Sequence, residues 1–473
     1  MGQFLRILPA LALLAPAAGT AQDRQLQDAA QGSEQASGRT YDLTIEDAVA
    51  LAQQRSFRTA RADRNLKQSE LRYRNAKAQY LPTLTTSLGL NQQGRDYASA
   101  GDVYRYQLSS NSNFQATANA NLSMPIDVGG VIHRQVRQAD LSKGIASANV
   151  SDTALDVGLD VETSYLDALR AQNNADADEQ VADEISGLLT RAGSNTTLTS
   201  FLQVELANAQ QTAQSSREKS DTAQDGLKQM LRIPPDEHLR LTSDFRGRKQ
   251  YVDRDGLLER ALNERPDVKS AALRVKQAAT SIQQVSDSRK PTVRVGAFAS
   301  QQFAGGAVYD GSYDRLRQEG GLVSVNVPLL QWDDGQLRRN EDIAHLQKEQ
   351  ADADLEELRE RVAYDVREQV LAVTRAENRI RNLPDPKAAL QALKRAEQML
   401  LSAPPETAQG LFAQVSNARA AWRSAETATA DAYIDYNLAV FRLKRLVGDT
   451  KDVPTAASVS HIPLQTVGPI LER

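Results

Sequence analysis

Between Phe114 and Met124 the chain reads FQATANANLSM, with Phe, Ala, Ala, Ala, Leu and Met at even positions and Gln, Thr, Asn, Asn and Ser at the odd ones. A period of two marks a strand with unlike faces. Three other runs repeat it. Leu84, Leu88 and Leu90 alternate with Thr85, Ser87 and Gly89; Val293, Val295, Ala297 and Ala299 alternate with Arg294, Gly296, Phe298 and Ser300; Val323, Val325, Val327 and Leu329 alternate with Ser324 and Asn326. The pattern predicts strands at about 81–92, 113–124, 291–303 and 320–330.

Elsewhere the period is helical. The stretch from about Val131 to Leu231 lacks proline and spaces Leu155, Leu159, Leu166 and Leu169 as a narrow stripe. Leu355, Leu358, Val362, Val366 and Val373 form a second one. Alanine and polar residues fill the remainder, so such helices can pack side by side and keep a wide wet face.

The two kinds of element recur in one order. Leu43 to Leu90 and Asp255 to Phe298 each read as a short helix, a break near Ser56 or Pro266, a longer helix, then a proline opening an extended run. Pro82 and Pro291 lie 209 residues apart (291−82), Pro125 and Pro328 lie 203 apart (328−125), and LKQMLRI at Leu227 precedes LKRLVGD at Leu443 by 216 (443−227). Three landmarks at nearly one offset indicate an internal duplication, with each copy half of one structure. The organisation predicted is a leader at 22–40, a first repeat at 41–233 with a helical hairpin turning at about 191–200, a linker at 234–251, a second repeat at 252–448 turning at about 400–410, and a tail at 449–473.

Composition narrows the class. The 473 residues carry 60 acidic and 56 basic side chains, a formal charge of -4, with 41% hydrophobic and 5% aromatic residues. There is no basic footprint for nucleic acid, and thick globular cores are not expected. The first 21 residues, MGQFLRILPALALLAPAAGTA, read as a signal peptide with Arg6 before an apolar run and small residues at Gly19 and Ala21. The chain has no cysteine. That excludes disulfides and a lipidated N-terminal cysteine.

A soluble sheet with one buried face would alternate too. Here each run is about ten residues long, the length of a tilted strand crossing a bilayer. Tyr97, Tyr104, Tyr106, Phe303, Tyr309 and Tyr313 cluster in and near the two polar connections, and Tyr80 marks the opposite end, as an aromatic belt would. Four strands cannot close a barrel around water, and open edges are not tolerated in hydrocarbon, so several chains must share one barrel. On this reading Leu84, Leu88, Leu90, Phe114, Leu122, Val293, Val295, Val323, Val325 and Val327 face lipid. Thr85, Ser87, Gln115, Thr117, Asn119, Asn121, Ser123, Ser324 and Asn326 line an aqueous lumen. Pro125, Gly129, Gly130, Pro328 and Gly335 form the turns from strand to helix, where proline ends the ladder and glycine lets the backbone swivel. The alternative is a periplasmic coiled-coil scaffold whose four runs pair into a small soluble sheet.

The duplicated turns MPIDVGG and VPLLQWDDG, with the closing DYNLAVFRLKRLVGD from Asp435, resemble the TolC family of outer-membrane efflux and secretion ducts over about Leu43 to Gly448. The resemblance implies an α+β membrane protein: a homotrimer with four strands per chain in a shared twelve-stranded outer-membrane β-barrel, above a periplasmic α-barrel of helical hairpins. It implies a passive exit duct of a tripartite efflux pump or type I secretion system. The partners would be a periplasmic adaptor, an inner-membrane transporter of RND, MFS or ABC type, and outer-membrane lipid. Arg191, Gly193, Ser194, Thr196, Thr197 and Leu198 in the first copy, and Pro404, Pro405 and Glu406 in the second, would form the tip that meets the adaptor. The second copy departs from the family in carrying Pro404 and Pro405 where a glycine turn is usual. Three copies of Glu406 near the axis would make a cation-preferring constriction.

No catalytic chemistry competes with this. His133, His238, His345 and His461 are isolated, and no Walker loop, GxSxG or dinucleotide fingerprint follows a predicted strand. No enzyme activity, metal or cofactor is expected.

Overall fold

The computed structural model describes residues 40–93, 113–192, 196–243, 256–305, 313–327, 335–404 and 407–448. The expected signal peptide, the leader up to residue 39, the tail, both strand-connecting loops, Gly193, Ser194, Pro328, Pro405 and Glu406 lie outside these residues.

In the first half the order is β1 (Thr40–Leu43), α1 (Ile45–Arg55), α2 (Phe57–Ala78), β2 (Thr83–Gln93), β3 (Asn113–Ile126), α3 (Val131–Arg191), α4 (Thr196–Leu231) and β4 (His238–Leu241). The second half gives α5 (Leu257–Glu264), α6 (Pro266–Asp287), β5 (Thr292–Gly305), β6 (Tyr313–Asn326), α7 (Gln336–Arg381), α8 (Pro386–Ser402) and α9 (Ala408–Val447). The break between the two short helices is made locally. Ser56 caps α2, its hydroxyl accepting from the Arg58 amide at 3.1 Å, while Pro266 begins α6 at the position where its missing amide costs nothing.

Two of these bounds differ from the sequence reading. Strand β6 starts at Tyr313 rather than near 320, and β5 runs to Gly305 rather than to about 303, so Tyr313 sits in the sheet rather than in a loop. Backbone pairing continues there without hydrophobic alternation, because the ladder needs only amides and carbonyls. The second arm is also not one helix. Asn382 to Asp385 interrupt it, where Pro384 lacks an amide and forces its predecessor out of helical geometry, and the Asp385 carboxylate then caps α8 on the Lys387 amide at 3.0 Å.

The chain forms two compact units. In one, Leu188, Leu202, Leu393, Leu400 and Val415 make a fully buried core with Leu198, and Phe201 packs on Phe412 with ring centroids 5.5 Å apart. The same unit holds the parallel pair of β1 and β4. Buried Tyr165 ties it down, donating to the Leu43 carbonyl at 2.9 Å and accepting from the Ser243 amide at 3.1 Å. In the other unit, Val362, Val366, Val373, Tyr436, Val440 and Leu443 pack with Leu257, Ala261 and Val268. Arg445 there reaches Asp152 at 2.7 Å and Asp156 at 2.6 Å. Of the predicted stripes, Leu155, Leu166, Leu355, Val362, Val366 and Val373 are buried, whereas Leu159, Leu169 and Leu358 are half-buried.

Among the described residues no helix is long and apolar enough to cross a membrane.

Candidate functional site: a two-faced sheet and a charged helical turn

Strands β2, β3, β5 and β6 form one antiparallel sheet in that order, so the two repeats meet at β3 and β5. Register fixes the faces, because directly opposed residues share one side of an antiparallel ladder. Leu84 opposes Leu122, which opposes Ala297; Met124, Val295 and Val323 form the next row, and Ile126, Val293 and Val325 the one after. The other face carries Thr85 with Asn121, Ser87 with Asn119, and Gly89 with Thr117. Ser123 lies there too, and so do Ser324 opposite Arg294 and Asn326 opposite Thr292. Phe114 and Gln115 fall by register on the apolar and polar faces respectively.

The polar face is hydrogen-bonded across three strands. Asn119 donates to the Ser87 hydroxyl at 3.4 Å, and the Ser300 hydroxyl donates to Asn119 Oδ1 at 2.7 Å. Nothing among the described residues covers the apolar face: Leu88 is 87% exposed, Leu90 78% and Val323 67%. A contiguous patch of this kind marks a surface that meets lipid or a partner. One feature was not foreseen. Arg317 and Glu319 lie by register on the apolar face and pair at 3.0 Å, toward the loop end of β6.

Where β3 passes into α3, Pro125 still pairs with Arg294, and Asp127 then caps the helix, accepting from the Ile132 and His133 amides at 3.1 and 2.8 Å. The Tyr80 hydroxyl donates to the same carboxylate at 3.4 Å, and burial together with that negative charge raises its pKa. Gly129 is buried against Lys290, and Gly130 takes φ +73°, which only glycine adopts freely. Gly335 repeats the device at φ +77° before α7. A cavity of about 500 Å³ opens at this junction, lined among others by Leu81, Ser123, Asp127, Ile132 and Arg294.

The turn between the long helices of the first copy carries a buried charge cluster. Glu397, 2% exposed, sits 3.4 Å from Arg191 and 3.5 Å from Arg419, and Arg419 reaches Glu205 at 2.8 Å. Burial, a hydrogen bond with Glu184 and that residue's charge push the Glu397 carboxyl above its ordinary range, against the pull of Arg419 and Arg191. In the same unit, burial would raise Asp178 as well. Hydrogen bonds from Arg423 and Ser216 outweigh it, and the Asp178 carboxyl lies below its ordinary range.

Of the residues expected at the tip, Arg191 ends α3 and joins this cluster, Thr196 and Thr197 open α4, and Pro404 follows α8. Leu198 is a correction. At 3% exposure it belongs to the core beneath the turn and offers no surface to a partner, because the first apolar residue of α4 is drawn between the helices. Sequence reasoning missed Tyr165, Asp178, Glu397, Arg419 and Arg423. Their partners lie far away in sequence, and an isolated charge or tyrosine carries no local mark of them.

The geometry has its counterpart in known proteins. The model of the family "Outer membrane efflux protein" matches residues 48–231 and 257–449, one match for each copy. Among curated proteins none matches the chain by sequence. Solved structures do match the fold. The MtrE outer membrane channel of Neisseria gonorrhoeae, in its open state, has 17% identity and TM-score 0.68, covering 85% of this chain and 88% of that one. The CmeC outer membrane channel of Campylobacter jejuni has 14% identity and TM-score 0.65, covering 85% of each chain. VceC, an outer membrane protein of Vibrio cholerae, has 18% identity and TM-score 0.62, covering 85% of this chain and 96% of its own. These findings favour a channel over a soluble scaffold, and the duplicated match over most of the length places the chain in the outer membrane efflux protein family, whose members are channels and not enzymes.

Proposed function

We propose that the protein is the outer-membrane exit duct of a tripartite export system, exported by its signal peptide and assembled as a homotrimer around a shared twelve-stranded barrel. The observation that carries this reading is the sheet. Its order leaves β2 and β6 as edges, its one face exposes leucine and valine, and its other face is a hydroxyl and amide surface. Edges of this kind cannot stand in hydrocarbon, so β6 of one chain pairs with β2 of the next until the ring closes. The apolar face then anchors the barrel in lipid, and the polar face keeps the lumen wet.

Barrel tilt accounts for the charged pair on the outer face. A row of opposed residues is perpendicular to the strands, so with a tilt of about 40° it climbs roughly 9 Å over three strand spacings. The row from Leu88 to Arg317 thereby starts in the apolar band at β2 and leaves it at β6. The helices form the periplasmic tube. Its tip, built from the turns after α3 and α8, meets a periplasmic adaptor that connects to an inner-membrane transporter, which supplies the energy.

The facing assignment is testable with two neighbouring residues. Ala118→Asp puts a carboxylate on the lipid side and is expected to reduce insertion severely, whereas Asn119→Leu, one residue on, is expected to alter conductance with insertion retained. Equal effects of the two on outer-membrane yield would contradict the assignment.

A further inference from the structure

Toward the helices the polar face of the sheet is neutral with one exception. From Ser300 back to Thr292 and on the strands opposite, its described residues carry hydroxyls, amides and a few apolar groups, and Arg294 is the only ionised one among them; Asp314, in the same register series, pairs with Ala304 at the far, loop end of the sheet. Arg294 is exposed, near the helix end of β5, and stands opposite Pro125 on one side and Ser324 on the other, neither of which is an anion. The cations around the same junction are compensated. Arg134 and Lys290 both pair with buried Asp287, and Arg289 pairs with Glu341 at 3.1 Å. Asp127, the one carboxylate lining the cavity that Arg294 also lines, is engaged by the Ile132 and His133 amides.

A guanidinium stays charged at every physiological pH and matches carboxylate, phosphate and sulfonate in geometry. On the duct reading just given, three-fold symmetry repeats it around one water-filled lumen whose described walls toward the helices are otherwise uncharged. We infer that Arg294 forms a ring of three positive charges at the helix-side end of the barrel, which draws anionic groups of the cargo into the lumen there. Charged rings set ion preference in pores because like charges in a confined space add their fields.

The chain's lack of cysteine supplies a clean reporter. Ser324→Cys places a thiol opposite Arg294 on the same face, and the full-length protein reconstituted in liposomes is treated with anionic 2-sulfonatoethyl or cationic 2-trimethylammonioethyl methanethiosulfonate. The ratio of the two rates cancels any effect of Arg294 on the thiol's own acidity. At low salt the anionic-to-cationic ratio is expected to fall about twenty-five-fold when Arg294→Gln is added, because a unit-charge contact in water changes each rate about fivefold and acts with opposite sign on the two reagents. The difference is expected to shrink toward 1 M salt. An unchanged ratio overturns the inference while leaving the duct intact. Val323→Cys, on the opposite face, separates the two: slow reaction there supports the duct, and reaction as fast as at Ser324→Cys overturns the duct reading and this inference with it.

Discussion

The two long arms of the duplicated chain occupy the same place in their repeats and are built differently. The first is a single helix, α3, of 61 residues; the second is α7 of 46 residues and α8 of 17, separated by Asn382 to Asp385. Both begin from a left-handed glycine, Gly130 or Gly335, and both end at a turn toward the next long helix. From Gln336 to Ser402 the second arm spans 67 residues, six more than α3 (67−61). The extra chain is absorbed where Leu383, Pro384, Asp385 and Pro386 stop one helix and start another. Duplication therefore conserves the ends of the element, which the sheet and the turn require, while the middle is free to be continuous or broken.

The strongest challenge to this comparison is to impose the break on the intact arm. Counting back 211 residues, the distance between the ends at Ser402 and Arg191 (402−191), Pro384 corresponds to Asn173. Asn173→Pro is expected to destabilise the protein by about 3 kcal/mol or more, read as a lowered midpoint in denaturant, since it removes a donor inside α3 and clashes with the preceding turn. Gly130→Ala and Gly335→Ala should each cost about 1–2 kcal/mol, and nearly equally, because both force a Cβ into the left-handed region. A large inequality between them would mean that the two helix starts are not equivalent. Asp385→Ala should cost about 1 kcal/mol through loss of the cap on α8. Pro384→Ala should cost about 0.5 kcal/mol, mainly through the unfolded chain, because the residue lies outside both helices.

A smaller effect concerns pH. Glu397 holds its proton in the folded state above its ordinary value of 4.5, so its contribution to stability is complete below that value and is lost as pH rises through the raised one. Asp178 has the opposite sign. Its contribution is present above 3.8 and is lost as pH falls through its depressed value. Unfolding midpoints of Glu397→Gln across mildly acidic pH should therefore lack the decline with rising pH that Glu397 produces, while the loss of stability at lower pH persists. An unchanged slope would show that the Glu397 carboxyl does not titrate in this range.

The strand faces were legible in the sequence because a period of two fixes the side of every residue once the register is known, and Leu84, Leu88, Val323 and Val325 fall with the exposed apolar face. The duplication was legible because prolines and glycines at chain reversals have few substitutes. The outer half of β6 was not, since Arg315, Arg317 and Glu319 hide a strand held by backbone pairing alone. The break after α7 is written in the chain as LPDP, but the apolar stripe before it and the turn residues after it read equally well as one long hairpin. The charge cluster of Glu397, Arg191 and Arg419 had no local signature, because burial is a property of the packed helices and not of any short segment.

The central claim is that four strands per chain close a barrel only in company. Fractionation of cells making the full-length protein, followed by mild-detergent extraction and native mass determination, tests it most directly. The account predicts a particle of three chains recovered from the outer membrane; a soluble single chain from the periplasm would contradict it.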